Sequence, residues 1–219
     1  MGAYQIITDS TADLTPELVR ELDVQVIPLC YMMEGRTYHN IPGGGELTEG
    51  EFYAKLRAGT MSTTTQINSE EFLRVFTPLL EAGQDVAMAI LGDVSIYSTY
   101  CYMMELLKAE GFPCVMVPGV PSFCAVAARL GRSLTEPDQP LHIIPGGGPG
   151  LGEALDLPGS KVLMKAGRNH QKLLEELEAR KLLDRAAMVE NCGLPEERPF
   201  ADLTGKPDSN GYFTTVIIP

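Results

Sequence analysis

The chain has 219 residues, with 29 acidic and 17 basic side chains and a formal net charge of −12. Hydrophobic residues make up 44%, enough for one large domain or two small lobes and too many for global disorder. The acidic balance argues against nucleic acid as a partner, since phosphate contacts need a basic face, and no apolar run reaches the roughly 20 residues of a membrane span.

Strand and helix signals alternate from the start. Tyr4–Thr8 reads as a buried strand and Val24–Tyr31 as a second. Between them Thr15-Pro16-Glu17-Leu18 opens a helix, a hydroxyl cap followed by proline in the first turn. Thr48-Glu49-Gly50-Glu51 is a capping-box pattern for a helix through Leu56. Asn68 begins another, with Phe72, Phe76, Leu79 and Leu80 at helical spacing. Val86–Leu91 is wholly apolar, as a central parallel strand would be. A helix over Tyr97–Glu110 and a strand over Cys114–Val117 follow. Phe123–Leu130 reads as a buried helix, Leu141–Ile144 and Lys161–Met164 as strands, and Gln171–Lys181 as an amphipathic helix. Ala187–Val189 and Tyr212–Ile218 read as final strands, the last antiparallel after the turn Asp208–Gly211. Such units imply an α/β protein of two lobes with mostly parallel sheets.

The first ligand candidate is Leu91-Gly92-Asp93-Val94-Ser95-Ile96-Tyr97-Ser98-Thr99, which follows a strand and precedes a helix. Ligands of open α/β sheets bind at such carboxyl ends, where helix N-termini offer free N–H donors. Val117–Phe123 repeats the pattern. Pro145–Gly152 is glycine-rich but lacks a following Gly-Lys-Ser/Thr, so it reads as a flexible connection and not as a phosphate cradle. Ile-Pro-Gly-Gly-Gly at Ile41–Gly45 reads the same way. Asp9-Ser10-Thr11 and Ser62–Gln66 carry hydroxyls that either grip an anion or cap helices. His39, His142 and His170 have no metal-ligand spacing, so no metal is expected. Five scattered cysteines without Cys-x-x-Cys, and an N-terminus without a secretory pattern, point to the cytoplasm.

Two family resemblances sharpen this. IITDSTADLTPELVRELDVQVIPL, LTEGEFYAKLRAG and STTTQINSEEF resemble the N-terminal lobe of the DegV family of fatty-acid-binding proteins. In that family a Thr-Ser-Gln-Pro stretch helps hold the lipid carboxylate; here it reads Thr64-Thr65-Gln66-Ile67. The resemblance implies lipid contact at Asp9, Ser10, Thr11 and Thr64. The family's second, chain-enclosing lobe has no counterpart here.

LGDVSIYSTYCYMMELLKAEGF, VPGVPSFCAVAARLGRSLTEPDQPLHIIP, EALDLPGSKVLMKAGRN and MVENCGLPEER resemble the C-terminal part of a tetrapyrrole methylase. Among such enzymes the motifs are most similar to precorrin-2 or cobalt-factor II C-20-methyltransferases of cobalamin synthesis. The resemblance implies S-adenosyl-L-methionine (SAM) in a trough between two lobes, against Leu91, Gly92, Asp93, Ile96, Tyr97, Pro121, Ser122 and Met164. It implies a tetrapyrrole substrate and a homodimer, and names no catalytic residue. Val94 replaces the family's usual proline. Methylases of this class begin with Gly-x-Gly-Pro-Gly-Asp; DegV-like sequence stands in that place, and Gly146–Gly150 matches the motif only by letters. The chain therefore reads as a DegV-like lobe over residues 1–84 joined to a methylase-like portion over 85–219. Replacement of the native first lobe puts methyl transfer itself in question. A fatty-acid binder and a folded chimera without ligand stay open beside the methylase reading.

Overall fold

The computed structural model describes residues 4–65, 67–167, 169–209, 211 and 213–219. The fold class is α/β, in two compact units, Met1–Pro118 and Gly119–Pro219. Among the described residues no helix is long and apolar enough to cross a membrane.

In the first unit β1 (Tyr4–Asp9) is followed by a 3-10 turn at Ser10–Ala12 and by α1 (Pro16–Glu21). Thr15 caps α1, its hydroxyl accepting from Leu18 N at 3.3 Å. The stretch expected as one strand over Val24–Tyr31 is two: β2 (Val24–Ile27) and β3 (Leu29–Met33). They part at Pro28, which has no N–H to give to a ladder. β3 turns back through Glu34 and Gly35, both at positive φ, into β4 (Arg36–Asn40). Positive φ at both loop positions is what a two-residue hairpin needs to match strand twist. α2 (Glu49–Arg57) carries the expected capping box, with Thr48 N donating to Glu51 at 2.9 Å. These bonds hold the Glu51 carboxyl below its usual range, so the cap weakens as pH falls through its titration. β5 (Ser62–Thr65) completes an antiparallel sheet in the order β4-β3-β5. Tyr31, Met33 and Tyr38 pack there against Phe52 and Leu56, with Tyr31 stacked on Tyr38 at 5.3 Å.

α3 (Ser69–Glu81) is capped by Asn68, which accepts from Glu71 N at 2.8 Å. β6 (Asp85–Met88) and α4 (Tyr100–Ala109) complete the unit. β6 pairs in parallel with β1 in a sheet ordered β2-β1-β6, so it is an edge strand and not the expected central one. Its alternate residues are exposed, as one uncovered side requires. Cys114–Val117, expected as a strand, forms none: no sheet edge receives it, and Val115 and Val117 stand exposed. Phe72 and Phe76 of α3 meet Ile7, Ile27, Met103 and Leu107 in the core. The sheet thus runs past the meeting point of the two sequence resemblances near Asp85.

The second unit opens with α5 (Ser122–Leu130), ended by Gly131 in the left-handed region. There follow β7 (Leu141–Pro145), α6 (Leu151–Asp156), β8 (Ser160–Met164) and α7 (His170–Ala179). β9 (Ala187–Glu190), β10 (Arg198–Phe200) and β11 (Thr214–Ile218) complete a sheet ordered β10-β9-β11-β8-β7. Among the described residues of this unit only β7 and β8 run parallel; β11 is antiparallel to both its neighbours, as its preceding turn implies. Antiparallel pairs therefore outnumber parallel ones, more than alternating elements suggest. Tyr212 and Asn210, counted in the expected last strand and turn, lie outside the described residues. β9 and β11 are buried at every position, hence their apolar or hydroxyl character apart from Glu190 at the end of β9.

Candidate functional site

In the first unit all three parallel strands point their carboxyl ends to one edge. β1 lies between strands reached by connections on opposite sides, which makes that edge a switch point where a crevice can form. Two loops leave it from neighbouring strands, Asp9–Thr11 from β1 and Leu91–Tyr97 after β6. Ala89 N, donating to Ile7 O at 3.1 Å, ties their roots together.

The loops share one construction. Asp93 Oδ1 accepts from Ser95 N at 2.9 Å and from Ser95 Oγ at 2.5 Å. Asp9 Oδ1 accepts in the same way from Thr11 N at 2.8 Å and from Thr11 Oγ1. Gly92, at φ 83°, supplies the left-handed step into the second loop. Leu91 and Tyr97 stand out from the surface, 81% and 50% exposed, apolar faces available to a ring. Ile96 closes the turn, its N–H donating to Asp93 O at 3.2 Å. Ser98 Oγ accepts from Tyr100 N at 3.1 Å at the start of α4. Burial holds the Tyr100 phenol above its usual range, with Cys114 adding to the effect, and its hydroxyl donates to Val115 O at 3.1 Å.

The other hydroxyls divide. Ser10 is buried and committed: its Oγ accepts from Leu29 N at 3.0 Å, fastening the turn after β1 to the start of β3. Thr64 is exposed on β5 opposite Tyr31. Gln66 lies outside the described residues. Just beyond, Ile67, Phe72, Met103 and Leu106, with Asn68 and Thr99, line an apolar groove of about 420 Å³. Thr64 is not among the lining residues.

In the second unit Pro121 offers α5 no side-chain cap, so the first N–H groups of that helix are left to solvent or ligand. Ser122 Oγ lies 3.5 Å from Thr215 Oγ1 on β11. β11 runs beside β8, whose last residue, Met164, is its only partly exposed one. Pro121, Ser122 and Met164 thus gather at the carboxyl end of β8. Leu91, Gly92, Asp93, Ile96 and Tyr97 belong to the first unit's edge.

The profile of tetrapyrrole (corrin/porphyrin) methylases matches residues 9–207. The chain belongs to this family. Tetrapyrrole methylase likeness therefore begins at residue 9, inside the stretch that also resembles DegV. Cobalamin biosynthesis protein CobIJ of Mycobacterium tuberculosis is 31% identical over 93% of this chain and 44% of CobIJ. The chain thus spans less than half the length of that relative. Precorrin-2 C(20)-methyltransferase of a Sinorhizobium species is 32% identical over 64% of the chain and 58% of the enzyme. A DegV domain-containing protein of Caldanaerobacter subterraneus is 36% identical over 46% of the chain and 34% of its own length. The mixed DegV and methylase character read from the motifs is real. Among solved structures, the cobalt precorrin-4 methyltransferase CbiF aligns with a TM-score of 0.63 at 17% identity, over 97% of this chain and 82% of CbiF. A Thermus thermophilus uroporphyrin-III C-methyltransferase complexed with S-adenosylhomocysteine aligns at 0.51 and 20% identity, over 68% of this chain and 71% of the enzyme. Both share the fold.

A carboxylate at a strand end accepts from ammonium or ribose hydroxyls, and an uncapped helix end receives a carboxylate. Among the described residues no group of three or more His, Cys, Asp or Glu converges as a metal would require. Sequence reading missed one cluster in the second unit. Glu190, 3% exposed, accepts from Arg198 at 2.9 Å, from Ser209 Oγ at 3.0 Å and from Gly211 N at 2.9 Å. A carboxylate closing the apolar run Ala187-Met188-Val189 was the available signal. The glycine-rich segment after β7, expected to be flexible, is fastened instead. Gly146 N donates to Met164 O at 2.6 Å, and Asn169 Nδ2 donates to Gly147 O at 3.2 Å.

Proposed function

We propose that this chain binds SAM and belongs to an enzyme that methylates a precorrin-type tetrapyrrole in cobalamin synthesis. The finer reading is C-20 methylation of precorrin-2 or cobalt-factor II, supported by the 32% identity to precorrin-2 C(20)-methyltransferase. The observation that carries the proposal is the family match over residues 9–207, which includes every strand-end residue assigned to the cofactor. SAM, when bound, supplies a methyl group already activated on sulfonium. The residues then have to bind, orient and exclude water. Asp93 accepts from hydroxyl or ammonium groups, and Gly92 sets the loop path. The first turn of α5, with Ser122, receives a carboxylate, and Met164 gives apolar contact. No residue is assigned a proton-transfer role. A junction of DegV-like and methylase-like sequence near Asp85, a homodimer and a cytoplasmic location go with this reading.

Calorimetric titration with S-adenosylhomocysteine tests it, because that ligand cannot turn over. Micromolar binding is expected, weakened about tenfold or more in Asp93→Ala, since bonds to a charged group contribute about 1.5–3 kcal/mol. Ser95→Ala, which removes only the loop partner, should lose less. No binding by the folded protein would end the reading, and unchanged affinity in Asp93→Ala would end the assignment of that residue.

The apolar groove beside Ile67 favours a second reading, a fatty-acid binder of DegV type. Purified protein should then show bound fatty acid in a native mass spectrum. Its occupancy should fall several-fold in Thr64→Ala. Absence of lipid, or equal loading of variant and parent, counts against it.

A further inference from the structure

The second unit carries a buried carboxylate that the methylase reading does not use. Glu190 ends β9, and the register sets Arg198 of β10 on one side of it and Thr214 of β11 on the other. Directly paired residues of antiparallel strands put their side chains on one face, so these three stand together. Thr215, the next residue of β11, faces the other way. There its hydroxyl oxygen lies 3.5 Å from that of Ser122. Val216 pairs with Leu163, which brings Thr215 beside Met164 on this second face. Ser122 and Met164, the residues proposed to meet SAM, are therefore on one side of β11 and Glu190 is on the other.

The bonds of Glu190 reach the chain on its way into β11. Its Oε1 accepts from Ser209 Oγ at 3.0 Å and from Gly211 N at 2.9 Å, and its Oε2 from Arg198 Nη1 at 2.9 Å. Thr214 Oγ1 lies 3.1 Å from Ser209 Oγ and donates to Gly211 O at 2.8 Å. Arg198 is also held by Asp208, at 3.3 Å. The contacts continue to the end of β8. An added Cβ at Gly211 would overlap the Glu190 carboxylate, and one at Gly167 would overlap Gly211 O. Glu190, Gly211 and Gly167 are thus stacked with no room between them. Ala166 N closes the path by donating to Thr214 O at 3.2 Å, two residues after Met164.

Core packing does not call for a carboxylate here. Glu190 is 3% exposed, and an ion pair in such a place costs desolvation that an apolar side chain of similar size would not. What the carboxylate adds is geometry. Its two oxygens fix a hydroxyl, a main-chain N–H and a guanidinium in one arrangement. An apolar side chain would remove the acceptor of the Gly211 N–H.

We infer that Glu190 is a positioning residue of the methyl-donor site. From the far face of β11 it fixes the Thr215 hydroxyl and the segment after β8, and so sets where Ser122 and Met164 meet the ligand. This role rests on the SAM reading given above.

Titration of the full chain with S-adenosylhomocysteine tests it. Glu190→Ala should weaken binding about tenfold through the segment it releases, as packed networks transmit changes of that order. Glu190→Gln should stay within about threefold of the parent, because its amide oxygen can still accept from Ser209 and Gly211. Leu177→Ala, a change at a fully buried core position of α7, should lose stability yet keep the parent affinity well below its melting temperature. Parent-like binding by Glu190→Ala, Glu190→Gln as weak as Glu190→Ala, or an equal loss in Leu177→Ala each overturns the inference. If Glu190→Ala does not fold, Ser209→Ala, at a half-buried position, takes its place with an expected loss of about threefold. Parent-like affinity there overturns the inference too. If the parent itself does not bind, the SAM reading falls, and amide exchange tells the two failures apart. The Gly211 and Ala166 N–H groups should exchange faster in Glu190→Ala and not in Leu177→Ala. Unchanged rates overturn the positioning role on their own.

Discussion

Replacing Leu173 by alanine should lower the stability of the second unit by about 2–5 kcal/mol, the largest loss expected of a single substitution here. Leu173 is fully buried on α7, in one cluster with Leu163, Leu177, Met188, Leu203 and Val216. Those neighbours come from α7 itself, from strands β8, β9 and β11, and from the loop at Leu203. They are too firmly tied to collapse into the space left behind, so lost contacts and a residual cavity add. A domain of this size has about 5–15 kcal/mol in total, so the variant should lose a large share of it. The urea midpoint followed by far-UV circular dichroism reads the effect. Leu173→Met, close in volume, should lose less than about 1.5 kcal/mol. Similar midpoints for the alanine and methionine variants would show that α7 does not pack as described.

Gly167→Ala should destabilise the same unit by about 1–3 kcal/mol through overpacking. Gly167 follows β8, and an added Cβ would lie 1.9 Å from Gly211 O and 3.0 Å from Thr214 Oγ1. Main chain cannot swing aside as a side-chain tip can. The segment after β8 would have to move from β11, where Ala166 N donates to Thr214 O at 3.2 Å. Because Met164 ends that strand, S-adenosylhomocysteine affinity should fall together with the unfolding midpoint. A parent-like midpoint would refute the close approach. Gly83→Ala is a useful contrast. It has nothing within 4 Å but sits at φ 74°, so any loss there arises from backbone strain without a clash.

Much of this was legible because caps are local. Thr15, Thr48 and Asn68 each bond to an N–H three residues on, and the helices begin where those residues stand. β4 and β5 were not legible. Arg36–Asn40 buries only Tyr38, and Ser62–Thr65 has no apolar residue. Both become strands by pairing with β3, a relation no short window contains. Cys114–Val117 shows the converse: an apolar run without an edge to join remains irregular. The strand-end loops could be found from glycine and position alone. Their carboxylates could not be assigned a partner, since Asp9 and Asp93 both spend an oxygen on their own loops. Ser10, read as a ligand contact on the lipid side, fastens the turn after β1 to β3. Glu190 escaped notice because its partners are scattered along the chain from Arg198 to Gly211.

The pairing of β1 with β6 bears on how the molecule is made. Tyr4 meets Asp85 and Ile7 meets Met88, so the first sheet joins the start of the chain to a strand made long afterwards. Contacts that far apart close slowly, since the intervening loop must first lose its freedom. On a ribosome β1 and β2 can pair early, and the β3–β4 hairpin can form beside them. The apolar flank of β1 then waits uncovered until β6 emerges. That interval is when a nascent chain would be open to chaperone capture or to aggregation.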